Sequence, residues 1–119
     1  MIMFLQLSHT KMDVYQASRK MVLACYKLSN ILPDEERFGL VQQIRRASTS
    51  VSLNIAEGSS RRSDPERKRY YEISRGSIVE IDAILDLCSD LNYLTKENMQ
   101  EAGDLIIRCF QMLSAMLKV

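Results

Sequence analysis

The chain has 119 residues, 46% hydrophobic and 26% charged, with a formal net charge of +1. That length allows one domain around one core. So small a net charge excludes a global field drawing the molecule to nucleic acid or membrane. Cys25, Cys88 and Cys109 lie far apart in sequence, which argues against a disulfide framework and for a reducing cytoplasm. The opening MIMFLQLSHTK has no basic region and no small-residue cleavage site, so it is a poor export signal. No run reaches the ~18 apolar residues of a membrane span. We expect a single soluble, cytoplasmic domain over residues 1–119.

Residues 1–10 carry no periodic pattern and read as extended or frayed. Val14, Ala17, Met21, Ala24, Cys25, Leu28 and Ile31 recur at steps of three and four, which predicts a helix over 12–31. Pro33 ends it and starts a second helix over 34–57, with Asp34, Glu35 and Glu36 at its positive end. The core stripe of that helix is Leu40, Ile44, Ala47, Ser48, Val51 and Ile55, and Gly58 stands where a left-handed cap is wanted. Ser63-Asp64-Pro65-Glu66 is a capping box with proline in the first turn. It opens a third helix over 64–90, with a stripe through Tyr70, Ser74, Ser77, Ile78, Ile81, Ile84, Leu85 and Cys88. Thr95 caps a fourth, through Met99, Ala102, Ile106, Cys109, Phe110, Leu113, Met116 and Leu117. Four helices of about 20 residues with short connections predict an all-α, antiparallel up-down-up-down four-helix bundle.

RRASTSVSLNIAEGSSRR, residues 45–62, sets small hydroxylated residues between two Arg pairs. Ser48 falls on the core line of the second helix, and Ser74, Gly76 and Ser77 answer it on the third. Small residues on both sides allow two axes to approach closely. A glycine inside a helix costs about 1 kcal/mol against alanine, so Gly76 calls for a close contact or a bend. The serines can return their hydroxyls to carbonyls one turn earlier, which explains the run without chemistry. A catalytic serine lacks a base: His9, the one histidine, stands outside the helices, and there is no GxSxG turn. A single histidine also excludes a Glu-x-x-His di-metal site. The cysteines sit on or beside core positions, and no glycine-rich phosphate loop occurs. Catalytic, metal and cofactor sites are therefore not expected.

Charge is uneven. Residues 45–75 hold eight Lys or Arg against four Asp or Glu, and residues 76–119 hold three against seven. Arg61, Arg62, Arg67, Lys68, Arg69 and Arg75 form the candidate nucleic-acid-binding group. Tyr70 and Tyr71 beside them are candidates for base stacking. The alternative is a solvated face with pairs between subunits. Leu53, Tyr71, Val79 and Ile107 fall off the core stripes and suggest a second apolar surface. Glu57, in a last helical turn, needs a cation from Arg61, Arg62 or Arg75. Arg45, Arg46, Leu53, Glu57 and Tyr71 are the candidate residues of an interface between copies.

Several stretches together resemble a known family. They are Phe38-Gly39-Leu40, Gln43-Ile44-Arg45-Arg46-Ala47, Asn54-Ile55-Ala56-Glu57-Gly58 and Gly76-Ser77 with Glu80, preceded by DVYQAS from Asp13. The pattern looks like the four-helix bundle proteins encoded in intervening sequences of bacterial 23S rRNA genes, over about residues 11–118. The resemblance implies a bundle that assembles into a homopentamer, and it implies no reaction. A bundle of similar fold is the accessory protein of diversity-generating retroelements, associated with reverse transcriptase and RNA. This chain departs from the strongly basic character of such a protein. Two roles stay open: an oligomeric adaptor that binds structured RNA or a ribonucleoprotein through the basic group, or an oligomer with protein partners alone.

Overall fold

The computed structural model describes residues 4–118. Four helices run in order: α1 (Asp13–Ile31), α2 (Leu40–Ser59), α3 (Asp64–Asp90) and α4 (Lys96–Leu117), with no strand among the described residues. Each helix packs on two others, in the cyclic order α1, α2, α3, α4 and back to α1. Contacts between neighbours run in opposite senses. Arg45 meets Ser29 while Ser52 meets Ser18, and Ser50 meets Ser77 while Gly58 lies against Tyr70 and Tyr71. The bundle is all-α, as the periodicity predicts.

The stripes form the core. Met21, Cys25, Ile44, Val51, Ile55, Ile78, Ile81, Cys88, Cys109 and Leu113 are all essentially inaccessible to solvent. The buried serine hydroxyls are all paired, as such groups must be. Ser18 and Ser52 share a hydrogen bond of 2.8 Å between α1 and α2. Ser74 Oγ donates to the Val51 carbonyl at 2.8 Å between α2 and α3. Ser48 returns its hydroxyl to the Arg45 carbonyl. Each such bond is worth roughly 1 kcal/mol net.

The ends need several corrections. Residues 34–36 are not the start of α2. They form a separate 3-10 turn, and α2 begins at Leu40 after Gly39. Glu36 still serves the α2 terminus, because its Oε1 accepts from the Leu40 N–H at 3.1 Å. Its other oxygen accepts from Tyr93 Oη at 3.0 Å, tying the α1–α2 loop to the α3–α4 loop. Ile31 is half exposed and Leu32 takes the buried place. Of the N-terminal stretch read as extended or frayed, residues 1–3 lie outside the described residues and Ser8–Lys11 is a 3-10 turn.

Gly58 is not a left-handed cap; it lies within α2. A Cβ there would sit 2.8 Å from Tyr70 Cβ and 3.0 Å from Tyr71 Cε1, so the missing side chain lets α3 cross closely. The left-handed residue is Asn92 at φ 61°. Tyr93 N–H bonds Cys88 O and Asn92 N–H bonds Ser89 O, a paired closure that ends α3. Gly76 is exposed and nothing lies within 4 Å of where its Cβ would be, so no contact inside the chain accounts for it. Tyr71 is 7% exposed and belongs to the core rather than to an outer surface.

Gly58→Ala is expected to lower stability by roughly 1–3 kcal/mol through overpacking against Tyr70 and Tyr71. Urea unfolding followed by circular dichroism measures it. An unchanged midpoint would mean that the two helices are not in close contact here.

Candidate functional site

The basic group gathers at one end of the bundle, around the connection from α2 to α3. Ser59 and Ser60 turn their hydroxyls onto the Ala56 and Glu57 carbonyls to close α2. Ser63 then accepts from the Glu66 N–H and donates to Glu66 Oε1, which opens α3 with Pro65 in its first turn. So short a connection forces Arg61, Arg62, Arg67, Lys68 and Arg69 into one neighbourhood.

These cations do not play one role. Arg67 is a structural clamp. Its Nη1 donates to the Arg61 and Arg62 carbonyls at 2.9 and 3.0 Å, and its Nη2 pairs with Asp64. Arg61 donates to Glu57 Oε2 at 3.0 Å and to Tyr70 Oη at 2.9 Å. Glu57 thus finds the cation its position demands, in an exposed i,i+4 pair that solvent screens strongly. The Glu57 hydrogen bond, with Tyr70 adding to it, makes the Arg61 guanidinium still harder to deprotonate. Arg75 turns away from this end, to Ser114 Oγ at 3.3 Å, with Phe110 5.9 Å from its guanidinium. Arg62, Lys68 and Arg69 have no charged or hydrogen-bonding partner among the described residues. Tyr71 cannot stack on a base because it is buried; burial pushes its phenol up, with Arg67 pulling the other way.

The five residues singled out for an interface are also divided. Arg45 is a clasp between α1 and α2, bonding Ser29 Oγ at 2.9 Å and Asn30 Oδ1 at 3.0 Å with its guanidinium 5.0 Å from the Tyr26 ring. Glu57 is held by Arg61 and Tyr71 is inside. Arg46 and Leu53 remain exposed on α2, and Leu53 is 65% exposed.

Two open grooves run along the helices. One, of about 450 Å³, lies between α1 and α2 and includes Lys20, Val22, Leu23, Thr49 and Leu53. The other, of about 340 Å³, lies between α3 and α4 and includes Val79, Asp82, Ile107 and Phe110. The hydroxyls that line the first are already engaged, Thr49 with the Arg45 and Arg46 carbonyls and Ser52 with Ser18. His9 packs edge-on against the Tyr15 ring. Among the described residues, no three His, Cys, Asp or Glu side chains cluster as metal ligands, and no helix is long and apolar enough to cross a membrane.

A family model for the 23S rRNA-intervening sequence protein matches residues 10–115. The chain belongs to that family. A crystal structure from Bacteroides thetaiotaomicron, of a protein with unknown function from the S23 ribosomal protein family, superposes with a TM-score of 0.82. It shares 22% identity, over 89% of this chain and 99% of that one, and so shows a common fold. No curated protein matches the sequence.

In this 23S rRNA-intervening sequence protein the residues that carry the resemblance fall into two groups. Gly58, Ser77 and Asn54 are packing residues: Gly58 admits the tyrosines, Ser77 bonds Ser50 at 2.9 Å, and Asn54 Nδ2 donates to the Ser50 carbonyl at 2.8 Å. Phe38, Gly76 and Glu80 are exposed, Phe38 by 76%. Sequence pattern alone missed the structural roles of Arg67 and Tyr71. Tyr71 was detectable, since 71, 74, 78, 81, 85 and 88 form an unbroken three-four repeat. Nothing local in the sequence distinguishes Arg67 from Lys68 or Arg69.

The cysteines are inert. Burial, with Cys109 adding to it, pushes the Cys25 thiol from 9.0 up to about 12, and burial pushes Cys109 to about 11. Such thiols are expected to resist a disulfide reagent at pH 8 in the native protein, while all three react in denaturant. The unfolded thiol ionises near pH 9 and the folded one keeps its proton. The stability from burying Cys25 is therefore complete below pH 9 and is lost as pH rises toward 12. The decline is about 1.4 kcal/mol per pH unit for each such group. Urea midpoints between pH 8 and 11 should fall accordingly, and less steeply for Cys25→Ala. Equal slopes for the two proteins would contradict the assignment.

Proposed function

We propose that the protein is a non-enzymatic oligomeric adaptor, built from several copies of the bundle, five by the family resemblance. It takes up structured RNA or a ribonucleoprotein at the basic end. The observation that carries this is the division among the cations. Arg61 is engaged by Glu57 and Tyr70, Arg75 is turned away to Ser114, and Arg67 holds the backbone carbonyls of the connection, while Arg62, Lys68 and Arg69 are left without partners among the described residues. Cations left unpaired and close together on a rigid end can replace the counterions of a phosphate chain. Asp64 and Glu66 stand at the same end and keep the field local, which suits a bent phosphate backbone presented to one spot over a long duplex lying across the surface. Repeated around an assembly, three cations per copy sum to a multivalent surface.

The two opposite apolar grooves favour the alternative, an oligomer with protein partners and no nucleic acid. Binding to labelled structured RNA separates the two. The wild type is expected to bind with an affinity that falls steeply with salt. Arg62→Gln, Lys68→Gln and Arg69→Gln together should weaken binding more than tenfold at low salt. Each phosphate that is no longer neutralised should lower the salt slope by roughly 0.7–0.9. No binding at low salt by a correctly assembled wild type would leave the protein-only oligomer.

A further inference from the structure

We infer that the basic end holds a reading site for one unpaired guanine, built from Glu66, Arg69, Tyr70 and Ile73 of α3 beside Arg61. This site rests on the adaptor reading above for RNA as the source of the base. Those five residues line a cavity of about 280 Å³. Ligand pockets run from roughly 300 to 1,000 Å³, so this one suits a single planar ring system. Residues 66, 69, 70 and 73 are spaced three and four apart and share one face of α3. Gly58 lets that face approach the end of α2, where Arg61 stands.

The lining combines three kinds of group. Ile73 is 45% exposed, and with the Tyr70 ring it gives the cavity an apolar wall. The Arg61 guanidinium lies 4.9 Å from the Tyr70 ring centre and donates to its phenol oxygen. Arg61 Nε–H is buried there without an acceptor. Glu66 and Arg69 are opposite charges one turn apart, yet neither enters an ion pair among the described residues. Glu66 Oε1 accepts from Ser63 Oγ, and a carboxylate has lone pairs to spare. A ring on the apolar wall would therefore meet an acceptor-only group and a donor-only fork side by side.

That combination selects among the bases. Glu66 needs N–H groups to accept from, and Arg69 needs acceptors. Guanine alone sets two N–H groups next to each other, N1–H and the 2-amino group, to face a carboxylate. Its O6 and N7, on the neighbouring edge, accept an arginine fork. Glu66 and Arg69, with Cβ atoms about 5–6 Å apart at this helical spacing, can take both edges of one ring. Adenine and cytosine offer Glu66 a single amino group. Uracil flanks its one N–H with two carbonyls, which repel the carboxylate. Pairing in a duplex hides the N1–H and the amino group, so the guanine must be unpaired. Arg62 and Lys68, also outside any ion pair among the described residues, are left for the phosphates on either side.

Hairpin RNAs of one stem, differing at a single loop position, test this by fluorescence anisotropy at low salt. The guanine loop is expected to bind at least about fivefold more tightly than loops with uracil or with inosine, which lacks only the 2-amino group. The salt slope should be the same for all three, because their phosphates are the same. Glu66→Gln keeps an acceptor for Ser63 and should abolish the preference over inosine. Arg69→Lys keeps the charge, loses the fork and should reduce the preference over uracil with the salt slope unchanged. Circular dichroism and urea midpoints matching the wild type confirm that both variants fold. Lys68→Gln should weaken every hairpin alike. Equal binding of the wild type to all three loops overturns the guanine site and leaves the adaptor role standing. A preference that survives both Glu66→Gln and Arg69→Lys overturns it as well. Calorimetry with guanosine, inosine and uridine monophosphates separates the sources of the base. With RNA as the source, the monophosphates bind far more weakly than the guanine hairpin. If no hairpin binds and guanosine monophosphate is still preferred, the adaptor role fails and the site takes a free nucleotide. If no hairpin binds and the monophosphates are not distinguished, both fail.

Discussion

The close crossing of α2 and α3 is the constraint on which the rest of the structure depends. Gly58 has no side chain because Tyr70 and Tyr71 occupy the space it would need. A few turns away, Ser74 hands its hydroxyl to the Val51 carbonyl, and Ser50 and Ser77 share a hydrogen bond. Larger side chains at these places would separate the helices and lose the dispersion contacts of the whole seam. Small residues therefore contribute more here than their own buried area suggests. They set the distance at which the isoleucines and valines on either side can interlock.

That crossing also shapes the basic end. The connection from α2 to α3 is so short that its carbonyls have no helix to satisfy them, and Arg67 reaches back to do so. Arg61 is fixed by Glu57 and Tyr70. The cations that remain are presented from a clamped backbone, so that only their side chains are left to be ordered by an anion. The opposite end is closed differently, by the Glu36 carboxylate, which holds the α2 terminus with one oxygen and Tyr93 with the other. That hydrogen bond, with burial and the nearby carboxylates adding to it, raises the tyrosine's pKa and keeps the hydroxyl a donor through neutral pH.

Much of this was legible from residue order. Ser63 and Thr95 announce the starts of α3 and α4, and both cap as expected. The stripes through Met21, Ile44, Ile81 and Leu113 identify the core because helical periodicity is a local property. Misreadings arose where two rules competed. Gly58 satisfied the rule for a helix end and was in fact serving the rule for close approach. Tyr70 and Tyr71 are neighbours of one chemical type, and only the three-four repeat separates the core member from the outer one. The candidate site was less legible than the fold. A run of arginines shows that cations are present and says nothing about which carbonyls or carboxylates engage them first.

The sequence alone determined the class of the protein: four helices, their order, the apolar stripes, the serine-rich seam and the family. Each follows from patterns within about two turns of chain, where spacing and side-chain chemistry suffice. The tertiary structure alone decided which arginines are already occupied, why Gly58 has no side chain, and that Gly76 has no neighbour of its own. Those outcomes depend on distances between residues remote in the chain, and no local pattern encodes a distance until the helices have packed.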